Sequence, residues 1–135
     1  MLLLVCGCSA ESSAASSLAT TASDASAAAQ TASYDLQLDL SGQVTPGVST
    51  TALGDAMREL QKEDSTLTGS QQPTAIQKLA TRTLTLVRQA EDATLQAQAV
   101  LGTPSESSQL TTLKKRLHRI SASLTKIENT AQAQS

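Results

Sequence analysis

Two thiols, one imidazole and one short basic run are the groups in this chain whose types and spacing suggest chemistry. The thiols stand two apart in Cys6-Gly7-Cys8, and no other cysteine is present. That spacing is too short to staple a fold, and neither thiol has a third to pair with. A lone Cys-x-Cys also falls short of the four ligands that zinc takes. His118 is the single histidine, so one chain supplies neither a Ser-His-Asp triad nor a His-rich metal cluster. It lies in LKKRLHRI, one residue past Leu117, where a solvated imidazole is expected. Met57 and His118 are a candidate pair of axial haem ligands. The chain lacks the Cys-x-x-Cys-His attachment motif and the aromatic side chains that commonly line haem pockets. The run Lys114, Lys115, Arg116 and Arg119 is a candidate interaction patch for phosphates on lipid headgroups or wall polymers, or else the wet face of a helix. Glu63-Asp64 and Glu91-Asp92 are adjacent pairs, which point to different sides of a helix and do not form a dyad. No Gly-x-Ser-x-Gly elbow and no glycine-rich phosphate loop occurs. No catalytic residue, metal site or cofactor is therefore assigned.

The opening residues carry a resemblance. Residues 1–7 read as the end of a secretory signal, an apolar segment closed by a small residue. Val5-Cys6-Gly7-Cys8 resembles a bacterial lipobox: aliphatic, tolerant, small, then cysteine. The resemblance to bacterial lipoproteins implies a diacylglycerol thioether on Cys8, removal of residues 1–7, and Cys8 as the new N-terminus. Gly7 is the small residue this processing needs, whereas Cys6 follows the bulky Val5. No Lys or Arg precedes the short apolar run, which fits a translation start upstream of Met1. Residues 8–16, small and polar, read as the lipidated cysteine and a flexible tether. Residues 17–135 then form a helical bundle domain. The implied location is the extracytoplasmic face of a cell membrane.

Composition narrows the choice of partners. Ten Lys plus Arg against twelve Asp plus Glu leave a formal charge of -2, no electrostatic reason to expect nucleic acid. Tyr34 is the only aromatic side chain, so stacking platforms for bases and aromatic-lined sugar sites are absent. Ala, Ser, Thr, Gln and Leu dominate, a composition for close-packed helices around small residues.

Those helices are legible from the C-terminus backwards. Leu110, Leu113, Leu117, Ile120, Leu124, Ile127 and Ala131 recur at alternating spacings of three and four, one helix face. Thr103-Pro104-Ser105-Glu106 has the form of a capping box, and Gly102 can end the preceding helix in a left-handed conformation. That preceding helix, opened by Pro73, carries Ile76, Leu79, Thr83, Leu86, Ala90, Ala93, Ala97 and Val100. Folding the two stripes back at Gly102-Thr103 sets Leu79 by Ile127, Leu86 by Ile120, Ala90 by Leu117, Ala93 by Leu113 and Ala97 by Leu110. The same register brings Glu91 and Asp92 level with Lys114 and Lys115, and Lys78 level with Glu128. Leu53, Met57, Leu60 and Leu67 mark a further helix from about 49 to 68, interrupted by Asp64 and ended by Gly69. Tyr34, Leu36, Leu38 and Leu40 alternate as a strand would, but no partner strand exists. Leu18, Ala22, Ala25, Ala29, Ala32, Leu36 and Leu40 make the longer helical stripe, stopped by Gly42, and helix is preferred. A turn over 42–48, with Pro46-Gly47, follows.

The expectation is an all-α, up-down bundle of three to four helices with a C-terminal antiparallel hairpin. The stretch from Ser33 to Leu67, with ALGDAMREL at 52–60, resembles small Ala-rich helical lipoproteins of actinobacteria, which implies helices and no particular activity. Function is expected in contact with an envelope protein or the envelope itself, without catalysis. The alternative is a bundle that binds a small ligand or haem.

Overall fold

The computed structural model describes residues 6–103 and 106–135, with side-chain surroundings from residue 11 onward except 104–106. Four helices make up these residues: α1 (Cys6–Leu40), α2 (Pro46–Gly69), α3 (Thr74–Val100) and α4 (Glu106–Ala133). Short turns join them, so consecutive helices run antiparallel, up and down around one core. Each helix packs on its sequence neighbours, and α1 closes the ring against α4. That α1–α4 seam is the most extensive of the bundle. α1 and α3 also meet across one diagonal, while α2 and α4 occupy the other, with their backbones farther apart among the described residues.

The local causes are mostly in plain view. Thr45 caps α2, its hydroxyl accepting from the Val48 N–H, and Pro46 takes the first helical position. The turn before α2 is thus shorter than 42–48, and Pro46-Gly47 belongs to the helix. Gly42 and Gly102 have φ of +73° and +79°, the left-handed stops expected of them. The 103–106 capping box falls partly outside the described residues.

α4 buries the whole expected stripe, Leu110, Leu113, Leu117, Ile120, Leu124, Ile127 and Ala131. α1 buries Leu18, Ala22, Ala25, Ala29, Ala32 and Leu36 and leaves Tyr34 exposed. The strand alternative for 34–40 therefore fails: a helix buries Leu36 in the core, whereas a strand there has nothing to pair with. The tether reading of 8–16 is corrected as well. α1 is already helical from Cys6, and Ala15 is fully buried, so the bundle begins before residue 17. Ala-rich sequence suits a solvated linker, but alanine is also the strongest helix former once one face is covered. Residues 1–5 of the proposed signal remnant lie outside the described residues, as does the side chain of Cys8.

Two stripes are rotated from their expected phase. α3 turns Ala80 and Val87 inward beside Ile76, Thr83, Ala90, Ala93, Thr94 and Ala97, while Leu79 and Leu86 sit at the margin of the core. α2 buries Ser49, Leu53, Ala56, Leu60, Glu63 and Leu67, placing Glu63 rather than Asp64 on the inner face. Ala80 and Val87 on α3 stand where larger leucines were expected, and on α2 Ala56 is buried in place of Met57, so neighbouring helices come closer than the larger side chains would allow.

Small polar residues tie α1 to α4. Ser26 and Ser121 donate reciprocally to each other's carbonyl oxygens at 3.0 and 3.1 Å, and their hydroxyls lie 3.0 Å apart. Thr125 Oγ1 joins the cluster 2.9 Å from Ser26 Oγ. About two turns further along, Ser33 donates to the Lys114 carbonyl at 3.1 Å. Ser26→Ala should cost about 0.5–1.5 kcal/mol, because Ser121 and Thr125 keep other acceptors. Urea unfolding of the variant reads this; an unchanged midpoint would mean that these hydroxyls only fill space.

Candidate functional site

The basic run of α4 is split by the fold. Lys114, Lys115, His118 and Arg119 line a groove of about 310 Å³ along the α1–α4 seam, with Ser33 and Gln37 of α1 as the opposite wall. The i, i+4 pairs Lys114–His118 and Lys115–Arg119 share this side of the helix, and the Ser33 bond to the Lys114 carbonyl holds the seam together. Arg116 turns the other way and pairs with Asp92 of α3 at 3.4 Å. It leaves the candidate patch. Ser33 and Gln37 are the additions that sequence reasoning missed, and no periodic signal singles them out from other polar residues of α1.

No carboxylate lines the groove, and Lys114, Lys115 and Arg119 make no ion pair among the described residues. The expected answer to Lys114 and Lys115 from Glu91 and Asp92 is therefore corrected: Asp92 goes to Arg116, and Glu91 lies toward α2. Lys78 and Glu128 form no ion pair either. A groove with three uncompensated cations, an imidazole, an amide and a hydroxyl attracts anions and has hydrogen-bond donors to orient them.

The adjacent carboxylates diverge as expected of neighbours on a helix. Asp64 reaches Arg88 of α3 at 3.0 Å, while Glu63 turns into the bundle. Burial raises the Glu63 pKa, Asp24 of α1 raises it further, and Lys62 at 3.6 Å opposes both. Burial likewise raises Glu91, with Asp64 adding to it and Arg88 opposing. Asp35 is raised by burial, the nearby Ser49 hydroxyl opposing and Asp39 adding repulsion; that hydroxyl donates to Asp39 Oδ1 at 3.4 Å. Each of the three keeps one buried oxygen without a hydrogen-bond partner. Asp35 and Glu63 stand apart along the α1–α2 seam and Glu91 at the α2–α3 seam, and they assemble no acid–base pair. No cluster of three or more metal-ligating side chains occurs among the described residues.

Met57 and His118 are not brought together. Met57 is on α2 and His118 is exposed on α4, the two helices of the long diagonal, so they cannot share one iron. Together these features define a four-helix bundle with a basic external groove. No protein-family model, curated protein or solved structure matches the chain.

Proposed function

We propose that this chain is a lipid-anchored protein of the extracytoplasmic membrane face, attached through Cys8 and acting by contact rather than by catalysis. The lipobox-like Val5-Cys6-Gly7-Cys8 carries the anchor half of this reading. The groove of Lys114, Lys115, His118 and Arg119 supports the contact half, since uncompensated positive charge converges there around a concave surface. No described helix is long and apolar enough to cross a membrane. The lipid on Cys8 would hold the chain there: two acyl chains on one residue anchor stably, whereas one is marginal.

Mass spectrometry of the protein from membranes of its native host should find an N-terminus at Cys8 carrying the mass of a diacylglycerol. Cys8→Ser should abolish that mass and move the protein to the soluble fraction. An intact chain with unmodified Cys8 would overturn the anchor.

A further inference from the structure

We infer that the α1–α4 groove binds a linear polymer of repeated phosphate groups held well away from the anchoring membrane, and not the headgroups of that membrane. Binding of the polymer is independent of the anchor; its separation from the membrane rests on the Cys8 attachment proposed above.

Three observations support it. The first is the wall chemistry. Lys114, Lys115, His118 and Arg119 face Ser33 and Gln37, with no large apolar or aromatic side chain in the groove. A folded protein partner normally seats an apolar or aromatic centre inside a polar rim, and this groove has no such centre. Bases of a nucleic acid would find no stacking surface here, so charge and hydrogen bonds on phosphates are what remain to be read.

The second is the change of charge along one seam. Toward the start of α1 the same two helices form a smaller groove of about 210 Å³, lined by Ser16, Thr20 and Ser23 with the carboxylates Asp24 and Glu128. The seam is acidic near the proposed anchor and basic far from it. Anionic headgroups would be repelled by the near end, while a chain approaching from the far side meets the cations first.

The third is reach. Ser33 follows Cys8 by 25 residues on one uninterrupted helix, which at 1.5 Å per residue is about 38 Å. That exceeds the Debye length of about 8 Å at physiological salt by more than fourfold. With α1 upright on its anchor, the groove does not feel the headgroup charge.

The test uses the full chain with inorganic polyphosphate as probe, followed by calorimetric titration at 50 mM salt. Wild type should bind saturably, and K114E/K115E/R119E should weaken binding at least tenfold with helicity and unfolding midpoint retained. The matched control R58E/K78E/R82E reverses three exposed cations of α2 and α3 and should change binding less than threefold. Three phosphate contacts at a slope of about 0.7 each predict a loss of roughly 15- to 20-fold between 50 and 200 mM salt. Equal losses in the two triple variants, or no saturable binding, would overturn the site.

For the separation from the membrane, the acylated chain is placed in neutral and in phosphatidylglycerol vesicles. Polyphosphate should bind equally well to both. Loss of binding on the anionic vesicles would put headgroups in the groove and overturn the inference. Self-association of wild type that the groove variant dissolves would overturn it in favour of a second copy. If Cys8 proves unacylated, the anchor fails by mass, while polymer binding in solution still stands or falls on its own.

Discussion

Leu117→Ala should destabilise the folded chain by about 2–5 kcal/mol, the largest loss expected from a single truncation here. Leu117 is fully buried at the middle of α4, the helix that meets both α1 and α3. Its neighbours along the stripe, Leu113, Ile120 and Leu124, are buried too. Removing the side chain forfeits its transfer energy and leaves a cavity, because helices already spaced by Ala and Ser close up only partly. Leu95→Ala is the comparison: Leu95 is 59% exposed on α3, and its truncation should change stability by no more than about 0.5 kcal/mol. Urea unfolding of both variants measures the contrast. If Leu117→Ala unfolds no earlier than Leu95→Ala, the inner face of α4 has been assigned wrongly.

Glu63→Leu should stabilise the bundle at neutral pH by about 1–3 kcal/mol. Glu63 is 3% exposed, and its Oε1 lacks a hydrogen-bond partner. The groups facing it are Lys62 and Glu59 on its own helix and Asp24 on α1, of which only Lys62 favours its charge. Leucine fills similar space without a charge to desolvate, and Lys62 keeps Glu59 at 3.3 Å as a partner. The same reasoning fixes a pH dependence. Glu63 and Glu91 titrate above their ordinary 4.5 and Asp35 above 3.8, burial being the first cause in each. The folded chain thus holds protons that the unfolded chain has already released. Its stability should therefore rise as pH falls from 7 toward 4.5, opposite to the usual acid destabilisation by salt-bridged carboxylates. Thermal melts across that range should show the rise in wild type and a smaller one in Glu63→Gln. A midpoint that falls steadily over that range would place these carboxylates in contact with water or with cations.

Helix positions and the α4 core face were legible because their signals are local and redundant. Seven apolar residues at three-four spacing on α4 leave one choice of face, and all seven are buried. Gly42 and Gly102 stop helices where a left-handed residue is needed. The basic run was also visible as a candidate patch. What periodicity leaves open is the phase of a stripe flanked by residues that tolerate either side. On α2, Asp64 and Glu63 are equally poor core residues, and on α3 the inner face chose Ala80 and Val87 over Leu79 and Leu86. Both were set by how closely a neighbouring helix approaches, which no single segment records. The same holds for the groove. Ser26 with Ser121 and Ser33 with Lys114 align residues more than 80 positions apart, and only that alignment turns α1 into the opposite wall. It also separates Arg116 from Lys114, Lys115 and Arg119, since α3 offers Asp92 on one flank of α4 while α1 offers hydroxyl and amide on the other. Side-chain type and spacing determine which face of a helix avoids water; the joint packing of all four helices determines which neighbour covers each flank and which charges are left over.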